Sequence, residues 1–303
     1  MRIVGVRTSA AQVYAAQLSE DGATLSVITD IANFWSAPDY WVVRPPEGAP
    51  LRADEATIVP PLRPDAQVLL VGLNYKDHAA EGSYKDEALP PFPTISGRWA
   101  RSLCVDGTEI PVPAGEDGLD WEGEVVAWVG QTLVDATVEQ ALAGVFGYSA
   151  FNDITARRAQ KQTSQWILGK NADKSGALGP IVPAAEVGDI SDGLRIRTLV
   201  NGEVVQDGST RQMIHSVGEV LAHVSQTITL LPGDLLATGT PSGVGYARKP
   251  PRLLIPGDVV EVEVDHLGTV RNTIVSSHSR NLGRRTSSVA ANDGSGHLHD
   301  SAI

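Results

Sequence analysis

From residue 109 onward the chain is written in short runs that alternate apolar and polar residues, and a period of two restricts such runs to half-buried strands. The runs are EIPVP, EGEVVAWVG, LRIRTLVNGEVVQDG, DLLATGTP and DVVEVEVDHLGTVRNTIV, with Asn201-Gly202 and Leu267-Gly268 as turn signals. Helical spacing is rarer. It occurs in TVEQALAGVFG, after Asp153, and in STRQMIHSVGEVLAHVSQTIT, where Met213, Ile214, Val217, Val220 and Leu221 recur on one face. The pattern predicts a β-dominated α+β fold. With 303 residues, 42% of them hydrophobic, the chain can bury a substantial core without covalent staples.

The opening MRIVGVRT and the following VYAAQLSEDGATLSVI read as a β-hairpin around the Asp21-Gly22 turn, within a small β-rich unit. Prolines at 45, 46, 50, 60, 61 and 64 then disfavour regular helix and central strand, which sets a boundary near residue 65. The expected organisation is a small N-terminal domain over 1–64, a larger domain over 65–283 and a disordered tail over 284–303. That tail is rich in Ser, Gly, Asn and Asp and cannot offset its own ordering entropy. The stretch from Glu81 to Pro93 mixes Gly, Ser, charges and three prolines, and is expected to be an exposed connection or a lid.

A net charge of −12 without any dense basic run argues against a nucleic-acid partner, because neutralising phosphates requires a Lys/Arg surplus. No stretch approaches about 18 consecutive apolar residues, so no membrane span is expected. The N-terminus lacks a continuous apolar run of the secretory kind, and the single cysteine, Cys104, suits a reducing compartment. Both features predict a cytoplasmic chain with Cys104 in a structural role.

In DWEGE the carboxylates of Asp120, Glu122 and Glu124 stand two apart, which on a strand directs all three to one face. Two readings follow. One is a solvated face with Trp121 and Val125 turned inward; the other is a set of ligands whose mutual repulsion a hard divalent cation offsets. Asp153, which ends an apolar run and precedes a helical stretch, suits either a helix N-cap or a further cation ligand. His78 and Glu81 lie three apart, so one helical turn brings them together; the carboxylate then raises the basicity of the imidazole and fixes its tautomer, as a general base requires. A surface histidine on a polar turn has the same local sequence. Lys170, beside Gly169 among small residues, is either solvated or set to meet a substrate carboxylate or oxyanion. ATGTPSGVG reads as a strand entering a Gly-rich turn, with the hydroxyls of Thr238, Thr240 and Ser242 and several accessible backbone N–H groups. It lacks the spacing and the lysine of a nucleotide-binding loop.

Taken in order, NYKDHAAE, DWEGE, GYSAFNDITAR, LGK followed by LGP, NGEVVQDGSTRQMI and ATGTPSGVG resemble the fumarylacetoacetate hydrolase superfamily, over about residues 68 to 275. The resemblance implies that family's mixed β-sandwich roll, preceded by a small N-terminal domain, in a homodimer. It implies a Mg²⁺ or Mn²⁺ centre, with Ca²⁺ as the other hard cation such ligands accept. Glu122, Glu124 and Asp153 then become the metal ligands, with Asp120 a neighbouring hydrogen-bond acceptor. His78 and Glu81 become the catalytic dyad, Lys170 a further catalytic group, and Arg157, Gly239 and Thr240 substrate contacts. The substrate implied is a small keto acid or diketone, which offers two oxygens to one cation. The expected reaction is hydrolysis of a carbon–carbon bond in an acylpyruvate-like or β-diketo acid during catabolism, by water that His78 deprotonates. An isomerase, hydratase or decarboxylase acting on a related 2-keto or 2-hydroxydienoic acid is the alternative.

Three stretches depart from the family pattern. Arg98-Trp99 stands where many members carry Lys-Pro, Ala172-Asp173-Lys174-Ser175 where members commonly show Phe-Asp-Thr-Phe, and Arg158 where an Asp is common. Arg157, Arg158 and Lys174 are therefore expected either to make the pocket basic and suited to a carboxylated substrate or simply to be solvated.

Overall fold

The computed structural model describes residues 1–8, 12–46, 48–81 and 91–277. The expected lid over 81–93 lies, apart from its ends, outside the described residues, and so does the expected tail over 284–303.

Strands dominate the architecture, as the period of two predicts. The N-terminal sheet runs Leu51–Arg52, Thr24–Asp30, Val13–Leu18, Arg2–Arg7, Thr57–Val59 in spatial order. The Asp21-Gly22 turn, with Gly22 at φ +72°, joins Val13–Leu18 to Thr24–Asp30, and Arg2–Arg7 pairs antiparallel on the other side. The described residues of the proline-rich stretch contribute two short edge strands and the 3₁₀ turn Ala53–Glu55.

A second sheet runs Thr94–Arg98, Val68–Gly72, Leu235–Ala237, Gly123–Val129, Val145–Asp153, Gly176–Leu178, Leu103–Val105, with Val182–Pro183 also paired to Val145–Asp153. A third runs Glu203–Ser209, Arg195–Val200, Val259–Val264, Gly268–Ser276, Glu109–Val112. Every residue of Gly123–Val129 is buried. Val125, Ala127 and Val129 join the core formed with Ile196, Val260 and Val262 of the third sheet, whereas Val126 and Trp128 join the core shared with the N-terminal segment. A strand covered on both faces has no solvent side, which explains why EGEVVAWVG loses its polar phase after Glu124.

The N-terminal segment is anchored by the helix Ile31–Ser36, whose first N–H groups are capped by the Asp30 carboxylate. This helix delivers Trp35 into the shared core. Its ring stacks on Trp128 (centroids 5.6 Å apart, planes at 13°) and meets Phe146 edge-on, while its indole N–H donates to the Pro61 carbonyl at 2.8 Å. Trp35→Ala is expected to cost about 3–5 kcal/mol of stability, the range for truncating a large buried aromatic. Urea unfolding monitored by circular dichroism checks this, and a loss under about 1 kcal/mol would show that the segment docks without contributing to the core.

The stretch from Ser209 to Thr229 forms a shorter helix than its spacing predicts. The helix occupies Val217–Ser225, started by a Ser216–Glu219 capping box. Met213 and Ile214 are withheld because the chain before it pairs with the Asn74 region. Ile214 N–H donates to the Asn74 carbonyl at 2.7 Å and His215 N–H to its Oδ1 at 2.8 Å. Tertiary hydrogen bonding thus overrides the local period, and it fixes the segment leading to His78. Cys104 is buried, donates to the Lys174 carbonyl, and has its thiol pushed up to about 12 by burial, as a structural cysteine should. Among the described residues no helix is long and apolar enough to cross a membrane.

Candidate metal centre and active site

Gly123–Val129 and Val145–Asp153 are antiparallel, with Gly123 opposite Asn152 and Glu124 opposite Phe151. Backbone pairing continues past the strand ends: Asp153 N–H donates to the Glu122 carbonyl at 2.9 Å, and Asp120 and Thr155 exchange bonds of 2.9 and 3.0 Å. Asp120 and Glu122 therefore precede the strand, yet pairing keeps Glu122 beside Asp153 across the ladder. One carboxylate oxygen from each of Glu122, Glu124 and Asp153 lies within 4.8 Å of the others. The three residues are 5%, 3% and 2% exposed, which removes the reading of DWEGE as a solvated face, although Trp121 and Val125 are indeed buried. Asp153 is no N-cap: the next helix, Arg157–Gln160, starts after Ala156 without a side-chain cap.

Four carboxylates meet three cations here. Arg98 Nε donates to Asp153 Oδ1 at 2.5 Å; Arg157 donates to Asp120 Oδ2 and Glu122 Oε1, each at 2.7 Å; Lys170 Nζ donates to Glu122 Oε2 at 2.5 Å and to Asp153 Oδ2. Glu124 has no cationic hydrogen-bond partner among the described residues and accepts only the Gly239 N–H, at 3.0 Å. Burial, then the charges of Asp153 and Glu122, hold its carboxyl well above the usual range. Burial also acts to raise Glu122, but Lys170 and then Arg157 outweigh it and hold that carboxyl low. Asp120 is raised by burial against the pull of Arg157, and it accepts N–H bonds from Gly245 and Tyr246 at 2.7 and 3.2 Å. Lys170 and Arg157 are both held protonated, because their carboxylate partners outweigh burial. An all-oxygen donor set that is one positive charge short fits a hard divalent cation.

The helix Lys76–Glu81 brings His78 Nδ1 to 2.9 Å from Glu81 Oε1. Glu81 is itself held by the Gly-rich turn: Gly243 N–H donates to both of its oxygens, at 2.8 and 3.0 Å. Gly243 sits at φ +104°, where a Cβ would also come 2.5 Å from the Val205 carbonyl, so only glycine presents its N–H there without strain. Thr240 lines the cavity, but its hydroxyl donates to the Gly123 carbonyl and accepts from Gln206 Nε2, both at 2.9 Å. The Gly239 N–H is taken by Glu124, and Arg157 by Asp120 and Glu122. These three expected substrate contacts all line the cavity while holding the carboxylate cluster in place.

The cavity, about 380 Å³, also exposes His78, Glu122, Glu124, Asp153 and Lys170. Apolar lining comes from Val71, Leu73, Trp166 and Val244. The expected basicity from Arg158 and Lys174 needs correction: both are exposed and neither lines the cavity, because Arg158 leaves on the outer side of the Arg157–Gln160 turn and Lys174 lies on a separate surface. Lys161 takes their place. Its ammonium lies 3.3 Å from the centroid of the Tyr246 ring, and burial together with Arg157 lowers its pKa. Arg98 was visible in the sequence only as a departure. Its role follows from burial, 4% exposed at the end of a strand, which no local signal announces.

The model of the fumarylacetoacetate (FAA) hydrolase C-terminal domain matches residues 67–275. The chain belongs to the fumarylacetoacetate hydrolase family. Among its relatives in that family, the mitochondrial oxaloacetate tautomerase FAHD2A of Homo sapiens is 36% identical over 226 residues, covering 74% of this chain and 71% of that protein. The structure of fumarylpyruvate hydrolase from Pseudomonas aeruginosa in complex with Mn²⁺ and pyruvate is 31% identical with a TM-score of 0.64, covering 73% of this chain and 92% of that one. The 5-carboxymethyl-2-hydroxymuconate delta-isomerase of Mycobacterium smegmatis is 27% identical with a TM-score of 0.72, covering 92% and 100%. The expected fold is thereby found, and the chain is an enzyme of a fumarylacetoacetate hydrolase family whose members act on small keto acids.

Proposed function

We propose that this chain is a Mg²⁺- or Mn²⁺-dependent hydrolase that cleaves a carbon–carbon bond in an acylpyruvate-like or β-diketo acid. The observation that carries the reading is that His78, paired with Glu81, opens onto the same cavity as the carboxylate triad, which belongs to a cluster of four carboxylates and three cations. Glu122, Glu124 and Asp153 would hold a hard cation, which would supply Lewis-acid stabilisation for negative charge on the keto-acid oxygens. His78, with its Nδ1 oriented by Glu81, removes a proton from water through Nε2. The hydroxide adds to the carbonyl beside the bond to be cleaved. That bond breaks, its electron pair passes to the keto-acid fragment as an enolate, and the imidazolium returns the proton to carbon. Lys170 faces the developing charge with its ammonium, and the apolar wall of Leu73, Trp166 and Val244 limits water around the reacting atoms.

A second reading is keto–enol isomerisation of a dicarboxylic keto acid, favoured by the 36% identity to the human oxaloacetate tautomerase. Here His78 moves a proton between carbon and oxygen, and no bond between carbons breaks. Acetylpyruvate and oxaloacetate, each incubated with the chain and Mn²⁺, separate the two by NMR. Pyruvate and acetate from acetylpyruvate are expected. Faster enol–keto exchange of oxaloacetate with its skeleton intact, and no cleavage of acetylpyruvate, would assign the tautomerase instead. Inertness toward both would remove both readings.

A further inference from the structure

Among the described residues four basic side chains line the cavity, and three of them already hold carboxylates. His78 is paired with Glu81, Arg157 with Asp120 and Glu122, and Lys170 with Glu122 and Asp153. The fourth, Lys161, meets no carboxylate among the described residues; its ammonium contacts the face of the Tyr246 ring, 3.3 Å from the centroid. Its surroundings act on it in one direction only. Burial and then the charge of Arg157 push its pKa down, whereas the carboxylates around Arg157 and Lys170 raise theirs.

The fold places this uncompensated charge at one end of the cavity. Lys161 follows Arg157 by four residues, at the close of the turn Arg157–Gln160, so the two side chains leave on the same face. Arg157 reaches inward to the buried carboxylates. The Tyr246 ring meets both cations, with the Arg157 guanidinium carbon 5.9 Å from its centroid, and its backbone N–H is fixed on Asp120 Oδ2 at 3.2 Å. An ammonium resting on an aromatic face keeps N–H donors for a ligand. Lys161 is exposed, while Glu122, Glu124 and Asp153 are buried, so it stands at the outer end, with Leu73, Trp166 and Val244 also in the wall.

We infer that Lys161, held over the Tyr246 ring, binds a second carboxylate at the far end of the substrate, so that the chain prefers keto acids with a terminal carboxylate to those that end in an apolar group. The inference rests on the keto-acid reading above and adds the end of the substrate which that reading leaves open; it applies to hydrolysis and to keto–enol isomerisation alike. The charges of the cavity set the direction. At the inner end a second carboxylate finds every cation already committed, whereas at Lys161 it completes an ion pair, and the apolar wall suits the carbon chain that links the two ends.

Succinylpyruvate and butyrylpyruvate differ by a carboxylate in place of a terminal methyl, so the ratio of their kcat/KM values reads the contact of Lys161 with that group. Turnover on the full chain with Mn²⁺ is followed both as pyruvate release and as enol–keto exchange, so that either reaction registers. The wild-type chain is expected to prefer succinylpyruvate by about 5- to 50-fold, between what an exposed ion pair and a hydrogen bond to a charged group supply. Lys161→Met, which retains the length of the side chain without its charge, is expected to bring the ratio close to one, mainly by raising KM for succinylpyruvate; circular dichroism checks that it folds. A wild-type ratio near one, or an unchanged ratio in Lys161→Met, overturns the inference while turnover of the two compounds leaves the keto-acid reading standing. If neither compound reacts by either route, the keto-acid reading falls and the inference with it.

Discussion

His78→Ala is expected to lower kcat by about two to four orders of magnitude while leaving Mn²⁺ affinity unchanged, the range that a positioned general base contributes. The separation follows from geometry. His78 bonds Glu81 and faces the cavity, and Glu81 is held by Gly243, so removing the imidazole disturbs none of the hydrogen bonds around Glu122, Glu124 and Asp153. Glu81→Gln should lower kcat less, since an amide still meets the ring but carries no charge to stabilise the imidazolium. Steady-state kinetics paired with calorimetry read both quantities. A chain that keeps its turnover without His78, or loses its metal, has a different base.

Glu122→Ala is expected to abolish measurable Mn²⁺ binding and to destabilise the chain by about 3–5 kcal/mol, because Arg157 and Lys170 lose a buried partner that both use. Glu124→Gln makes the contrast. It should also abolish binding, yet leave the metal-free chain at least as stable, since Glu124 is the carboxylate without a cationic hydrogen-bond partner and an amide replaces a carboxyl whose charged form burial already disfavours. Calorimetry and urea unfolding on the two variants check the pair. Unchanged metal affinity in either one sinks the ligand assignment, and equal destabilisation of both sinks the charge argument.

How much of this was legible in the sequence depends on how local each signal is. The i,i+3 spacing of His78 and Glu81 and the alternation of Glu122 and Glu124 are short-range, and the structure places both pairs as their spacing implies. Asp153 lies about thirty residues away and reaches Glu122 only through strand register, which periodicity alone cannot supply. It was the order of motifs, not the residue itself, that singled it out. Arg98 was harder still, since an arginine closing a short strand ordinarily reads as solvated. The family resemblance implied substrate contacts at Gly239 and Thr240, and in the structure Thr240, Gly239 and Gly243 bond Gly123, Glu124 and Glu81. The helix expected from Met213 onward starts only at Val217 for the converse reason, a long-range bond to Asn74 overriding the local period before it.

Val68–Gly72 and Leu235–Ala237 run parallel as neighbours, and Gly123–Val129 and Val145–Asp153 continue the sheet antiparallel. Both parallel strands therefore end at the edge where Gly123–Val129 begins and Val145–Asp153 finishes. Dyad, glycine turn and carboxylates are delivered to a single rim, each within a few residues of a ladder hydrogen bond. Lys161, Trp166 and Tyr246 hang from the connections beyond that rim. The molecule is thus divided into a chassis that positions the dyad and carboxylates and fittings that line the outer part of the cavity. Grafting a relative's connection between Gln160 and Trp166 changes the fittings alone, and directed evolution toward a new keto acid has its natural starting library there.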